Sequence, residues 1–132
     1  MITVATTVSS RKAKGQGFMK QIAGMICSRL GISSTDLRGA SGGQSGPDLL
    51  LSKAAQTKFP WVVEIKRQEL LQIPAWIRQA EKYAESTGLK PLVVFKQNHE
   101  KVYCIMRFDD LLAFMQSYNA LAELHKKSTT TP

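Results

Sequence analysis

The segment Pro60-Trp-Val-Val-Glu-Ile-Lys66 constrains this chain most. Its period-two alternation reads as a β-strand, with Trp61, Val63 and Ile65 on one face and Val62, Glu64 and Lys66 on the other. A carboxylate and an ammonium on so apolar a strand are costly to bury. Pairing Glu64 with Lys66 offsets that cost and by itself requires no function.

The surrounding sequence alternates helical and extended patterns. A helix is expected from roughly Gly17 to Leu30, with Phe18, Ile22, Met25, Ile26 and Leu30 on one face, Gly31 at its end, and Gly15 and Gly17 weakening it upstream. Asp48-Leu-Leu-Leu-Ser52 reads as a short buried strand joined to the Pro60–Lys66 strand through a hairpin. A helix from about Pro74 to Thr87 should turn Trp76, Ile77, Ala80, Tyr83 and Ala84 inward, with Gly88 ending it. Pro91-Leu-Val-Val-Phe95 and Val102-Tyr-Cys-Ile-Met106 are two more strands around a polar Lys96–Lys101 turn. A last helix, N-capped by Asp109, is expected to pack Leu111, Phe114, Met115, Tyr118 and Leu121. Without an internal repeat, this order implies one α/β or α+β domain over 11–124, a flexible segment over 1–10 and a disordered tail over 125–132.

Charge points to a polyanionic partner: 18 Lys+Arg against 10 Asp+Glu leave +8 on 132 residues. No acid precedes Asp36, whereas Arg11, Lys12, Lys14, Lys20 and Arg29 all do. Such a stripe serves as a solvated helix face or as a set of phosphate contacts. The stretch Gly39-Ala-Ser-Gly-Gly-Gln-Ser-Gly46 permits close backbone approach and offers hydroxyls to phosphate oxygens, but fits neither GxxxxGK[ST] nor GxGxxG. A plain surface loop explains it equally well. Cys27 and Cys104 lie in apolar stretches without a CxxC partner, which argues against zinc and for reduced core residues in a cytoplasmic protein. No run reaches membrane-spanning length.

Asp48 opens a strand beside the one carrying Glu64, so the two carboxylates are expected at one sheet edge. Carboxylates brought together repel, and a hard divalent cation relieves that repulsion. Mg²⁺, with Mn²⁺ as an alternative, would take Asp48, Glu64, the Ile65 carbonyl and substrate phosphate oxygens. Lys66 would orient the attacking water or neutralise charge in the transition state.

Pro47-Asp48 followed by Glu64-Ile65-Lys66 resembles the PD-(D/E)xK motif of the restriction-endonuclease-like nucleases. Arg38-Gly-Ala-Ser41, Gln68-Glu69, Gln79-Ala-Glu-Lys-Tyr83 and Pro91-Leu-Val-Val-Phe-Lys96 extend the similarity to phage and archaeal-type Holliday junction resolvases, over roughly residues 11 to 115. The resemblance implies an α/β restriction-endonuclease-like core, a central mixed β-sheet flanked by helices. It makes Asp48 and Glu64 metal ligands and Lys66 the catalytic lysine. Gln68 becomes an accessory polar residue and Gln79 a site-ordering residue in a QxxxY element, with Tyr83 assigned to the core. Arg38, Ser41 and Ser45 join the basic helix as DNA contacts. A homodimer acting on branched DNA is implied, exposed apolar residues of the last helix being the expected contributors. Many such resolvases carry an acid on the first helix; this chain has Gln16, Met19, Lys20 and Gln21 there, which puts a tightly held second metal in doubt. The expected activity is that of an Mg²⁺-dependent, structure-selective endodeoxyribonuclease, with a repair or restriction-type nuclease or a non-catalytic DNA-binding module as alternatives.

Overall fold

A computed structural model describes residues 8–41 and 45–130 of the chain. A long helix α1 (Val8–Leu30) leads into two short strands, β1 (Leu37–Gly39) and β2 (Leu49–Leu51). A short helix α2 (Lys53–Lys58) connects them to the long strand β3 (Trp61–Arg67). Helix α3 (Ile73–Ala84), strands β4 (Lys90–Lys96) and β5 (Tyr103–Ile105) and helix α4 (Phe108–Thr130) complete the order.

The central sheet is mixed. β3 pairs parallel with β4, Glu64 standing opposite Val93, and β4 pairs antiparallel with β5. Helix α3 makes the crossover that parallel neighbours require. The two faces of β3 meet different layers, as its alternation implies. Val63 and Ile65 join Phe18, Ile22 and Ala23 of α1 in the main core. On the opposite face, Val93 packs with Trp76 and Ala80 of α3, so Glu64, in register with Val93, lies under α3. The expected class, α/β with a central mixed sheet flanked by helices, is the observed one.

β1 and β2 form a separate antiparallel pair. It is tied to β3 at Asp48, whose backbone N–H donates to the Val63 carbonyl at 3.1 Å. Gly39 lets α1 close over this pair: a Cβ there would lie 2.6 Å from the Met19 sulfur.

Several expected boundaries shift. Helix α1 begins at Val8, within the segment expected to be flexible, and runs through Gly15 and Gly17. The penalty of about 1 kcal/mol per glycine is offset by burial of Phe18, Ile22 and Ala23. Met25 and Leu30 are exposed rather than in the core. Gly31 ends the helix with φ 64°, and the Ile32 N–H reaches back to the Cys27 carbonyl as in a Schellman turn. In place of the hairpin between β2 and β3 stands α2, started by Ser52, whose hydroxyl accepts from the Ala55 N–H at 3.1 Å. Helix α3 stops at Ala84, three residues before the expected end, and Gly88 takes φ 71° after the turn.

The last helix departs most from expectation. It starts at Phe108, its first backbone acceptor being the Arg107 carbonyl, so Asp109 is not its N-cap. Asp110 instead turns back to Arg107 (2.9 Å) and Lys90 (3.7 Å), while Arg107 also reaches Glu81 (3.5 Å). Beyond that anchor the helix continues to Thr130, through most of the expected tail. Leu111, Phe114, Met115, Tyr118 and Leu121 do not pack: all are exposed. Cys104 is likewise exposed on β5 and Cys27 half-buried, so neither is a full core residue; both are free thiols. No helix among the described residues is long and apolar enough to cross a membrane.

Candidate active site

Asp48, Glu64 and Lys66 converge where the β1–β2 pair meets β3. Asp48 stands immediately before β2, and its carboxylate accepts the Ile65 N–H at 2.6 Å. That bond spans 17 residues of sequence and fixes the carboxylate against the strand carrying Glu64. Glu64 is only 3% exposed. One of its oxygens, Oε1, meets Lys66 Nζ at 3.4 Å, and the other, Oε2, is buried without any hydrogen-bond partner.

A buried carboxylate so placed holds its proton tightly. Burial raises Glu64 from its ordinary 4.5 to about 7; the Asp48 charge and a hydrogen bond to Asp48 act in the same direction, and Lys66 opposes them. At neutral pH the Glu64 carboxyl is thus near half-protonation. An orphaned buried oxygen beside a second carboxylate is the donor set that a hard divalent cation completes, relieving both the desolvation and the repulsion. Among the described residues no three His, Cys, Asp or Glu side chains gather into a metal cluster. Two carboxylates suffice for an ion that keeps several waters and takes the rest of its shell from phosphate.

Lys66, paired with Glu64, also lines a groove of about 720 Å³ together with Arg11, Lys14 and Gly15 of α1, Ile65 and Arg67 of β3, Gln68, Glu69 and Leu70 beyond it, and Asn98; Asp48 and Glu64 are not among its lining residues. Four cations against one carboxylate give it a positive wall. Glu69 does not spoil that potential freely: its carboxylate accepts the Asn98 N–H at 2.5 Å, and its carbonyl accepts from the Gln97 side chain at 2.8 Å. These two bonds pin the β3–α3 loop to the β4–β5 turn.

Of the expected DNA contacts, Arg11 and Lys14 line the groove, as does Gln68, the expected accessory polar residue. Lys12 and Lys20 are exposed on α1 but are not groove-lining. Arg38 is exposed on β1, in register with Leu50 of β2. Ser41 is exposed at the border of the undescribed segment, and Gly42, Gly43 and Gln44 lie outside the described residues.

Gln79 and Tyr83 face the site from α3. The Gly46 N–H, then the Ser45 hydroxyl, then the Gln79 side chain hydrogen-bond the Tyr83 phenol and hold it below the usual tyrosine range. Tyr83 is therefore half-buried beside Ser45 and Gly46 instead of filling the core, while Ala80 and Ala84 are buried. Arg67 and Asn98 escaped sequence reasoning. Arg67 could have been found as the cation directly following the motif lysine; Asn98 carries no local signal.

No curated protein matches the chain. Among solved structures, the chain is similar to Hjc from Archaeoglobus fulgidus, a Holliday junction resolvase from an archaeal hyperthermophile. The identity is 14%, with 62% of this chain and 73% of that chain covered at a TM-score of 0.39. A family model described as "Phage putative PDDEXK endonuclease" matches residues 10–131. Nearly the whole sequence is thus accounted for, and the chain belongs to this family of PD-(D/E)xK nucleases.

Proposed function

We propose that this protein is a divalent-metal-dependent, structure-selective endodeoxyribonuclease that cuts phosphodiesters at four-way DNA junctions as a homodimer. The observation that carries the metal-dependent nuclease reading is the buried Glu64 carboxylate. One oxygen is paired to Lys66, which lines a basic groove, the other is orphaned, and Asp48 lies beside it.

Asp48, Glu64 and the Ile65 carbonyl would hold Mg²⁺, with Mn²⁺ as a substitute. A divalent cation supplies Lewis acidity toward a phosphate oxygen and toward the attacking water. Lys66, held against Glu64, places a positive charge where charge builds on the phosphate. The Asp48 bond to the Ile65 N–H keeps its carboxylate aimed without a conformational search. Arg11, Lys14 and Arg67 would track the backbone, with Arg38, Ser41, Ser45, Lys12 and Lys20 as outlying contacts. Gln68 lines the groove, and Gln79 with Tyr83 keeps the Ser45–Gly46 end of the loop in place. Contacts of this kind read DNA shape and phosphate position rather than base identity. A two-fold dimer would present one site to each of two strands in a nearly two-fold substrate. The free thiols suit the reducing cytoplasm of a phage host.

The test is cleavage of labelled four-way junction, duplex and single-stranded DNA in parallel, with Mg²⁺ and with EDTA. Paired symmetric nicks confined to the junction and lost in EDTA are expected. Metal-dependent cutting of all three substrates would retain the nuclease and remove junction selectivity. Binding without cutting would leave a DNA-binding module.

A further inference from the structure

Helix α4 is long enough to project about 35 Å, yet among the described residues no helix or strand makes more than marginal contact along it. It is anchored at its first turn by Asp110, which is buried between Arg107 and Lys90. Past that point it carries Leu111 (37% exposed), Phe114 (55%), Tyr118 (59%) and Leu121 (67%), spaced 3, 4 and 3 residues apart. This is the a/d spacing of a coiled-coil seam. Phe108, Met115 and Leu124 flank the seam and are also exposed, whereas Leu112, likewise exposed, lies on the far side of the helix. A lone helix with such a face is marginal in water, and single exposed leucines do not explain a contiguous stripe.

We propose that α4 is the dimer interface, pairing antiparallel with α4 of a second copy about a two-fold axis. The proposal deepens the two-fold reading above by giving it a surface. Three properties select this occupant. The seven apolar side chains of the seam and its flanks expose roughly 750 Å² per copy, close to the share a standard-size interface takes from each partner. Antiparallel pairing also sets the two helix dipoles in opposition. The helix also lacks the charge excess of the rest of the chain, with three acids against two lysines where the whole carries +8, so two copies meet through a nearly neutral face. In the seam register Leu111 faces the partner's Leu121 and Phe114 faces the partner's Tyr118.

Sedimentation of the full chain across concentration tests the pairing, with buried Trp76 fluorescence reporting that the core is intact. The wild type should be dimeric at micromolar concentration, and the Phe114→Glu, Tyr118→Glu double variant monomeric, a weakening of about 100-fold or more. Orientation is read by oxidising a mixture of Leu111→Cys and Leu121→Cys proteins in a Cys27→Ser, Cys104→Ser background. Antiparallel pairing yields the mixed 111–121 disulfide, whereas parallel pairing yields 111–111 and 121–121. A wild type that stays monomeric, a double variant that dimerises as before, or like-with-like disulfides would each overturn the proposal. Nuclease activity is scored separately by nicking. A dimer that never nicks refutes the function above and leaves the interface standing; a monomer that nicks does the reverse.

Discussion

Glu64→Gln should end cleavage in the presence of metal and, without metal, should stabilise the protein at pH 8 relative to pH 4.5. In the unfolded chain Glu64 releases its proton near 4.5, but the folded protein holds it to about 7. Between those values the native state binds more protons, so stability falls as pH rises through that window. A shift of this size is worth about 3 kcal/mol, at about 1.4 kcal/mol per unit. Glutamine keeps the shape and does not titrate, so the difference in stability between variant and wild type should grow by about 3 kcal/mol from pH 4.5 to pH 8. For a domain of this size that is roughly 10 °C in midpoint. The assay is thermal unfolding in EDTA at both pH values, followed by tryptophan fluorescence, with groups common to both proteins cancelling in the comparison. Adding Mg²⁺ at 100 times its dissociation constant should stabilise the wild type by about 2.7 kcal/mol at pH 8 and the variant hardly at all. A gap that is the same at both pH values would falsify the claim that an ionised Glu64 is stored at a cost for a cation to relieve.

Other expectations follow from the same geometry. Asp48→Asn keeps an acceptor for the Ile65 N–H but loses the charge, so cleavage should vanish while gel-shift binding of a junction holds or tightens; cutting at the wild-type rate would remove Asp48 from the site. Lys14→Ala with Arg67→Ala should weaken DNA binding and lower the salt slope of log K by about 2, whereas an unchanged slope would place the backbone elsewhere. Gly39→Ala drives a methyl into Met19 and should cost about 1–3 kcal/mol in denaturant unfolding; Met19→Ala in the same chain should recover part of that loss, and strict additivity would exclude the clash. Tyr83→Phe frees the Ser45–Gly46 end of the loop and should slow junction cleavage about tenfold at little change in stability, since the lost bonds lie on a partly exposed group. A Tyr83→Phe enzyme with an unchanged turnover number would leave the grip without a catalytic consequence.

The parts of the fold legible in the sequence are those where local pattern and burial agree. Strand β3 announces its two faces through Trp61, Val63 and Ile65 against Val62, Glu64 and Lys66, and each face meets a different helix. Gly31 marks the end of α1 because a left-handed residue is needed there. β1 is only three residues long and exists because Gly39 admits Met19; no local periodicity reveals it. Helix α2 is one short turn set by a single serine cap. In α4 the apolar spacing predicts a face turned inward, and the structure leaves that face exposed. Periodicity says that a face must be covered and is silent on what covers it, so the same residues serve a core or an interface.

The site follows the same logic at longer range. Asp48, Glu64 and Lys66 are recoverable because charges on apolar strands stand out against their surroundings. The bond from Asp48 to the Ile65 N–H, the hold of Tyr83 on Gly46 and the tether from Glu69 to Asn98 each join segments far apart in sequence, and none leaves a mark on its own neighbours. Those bonds separate a set of suitable residues from a preorganised site. Glu64 illustrates the division: its identity is readable from the motif, but its proposed role as a metal ligand rests on an oxygen left unpaired, which only the packing of β2, β3 and α3 around it creates. A variant that keeps Asp48, Glu64 and Lys66 and loosens this packing should retain the motif and lose the raised Glu64 titration, and with it the energetic reason for a cation to bind.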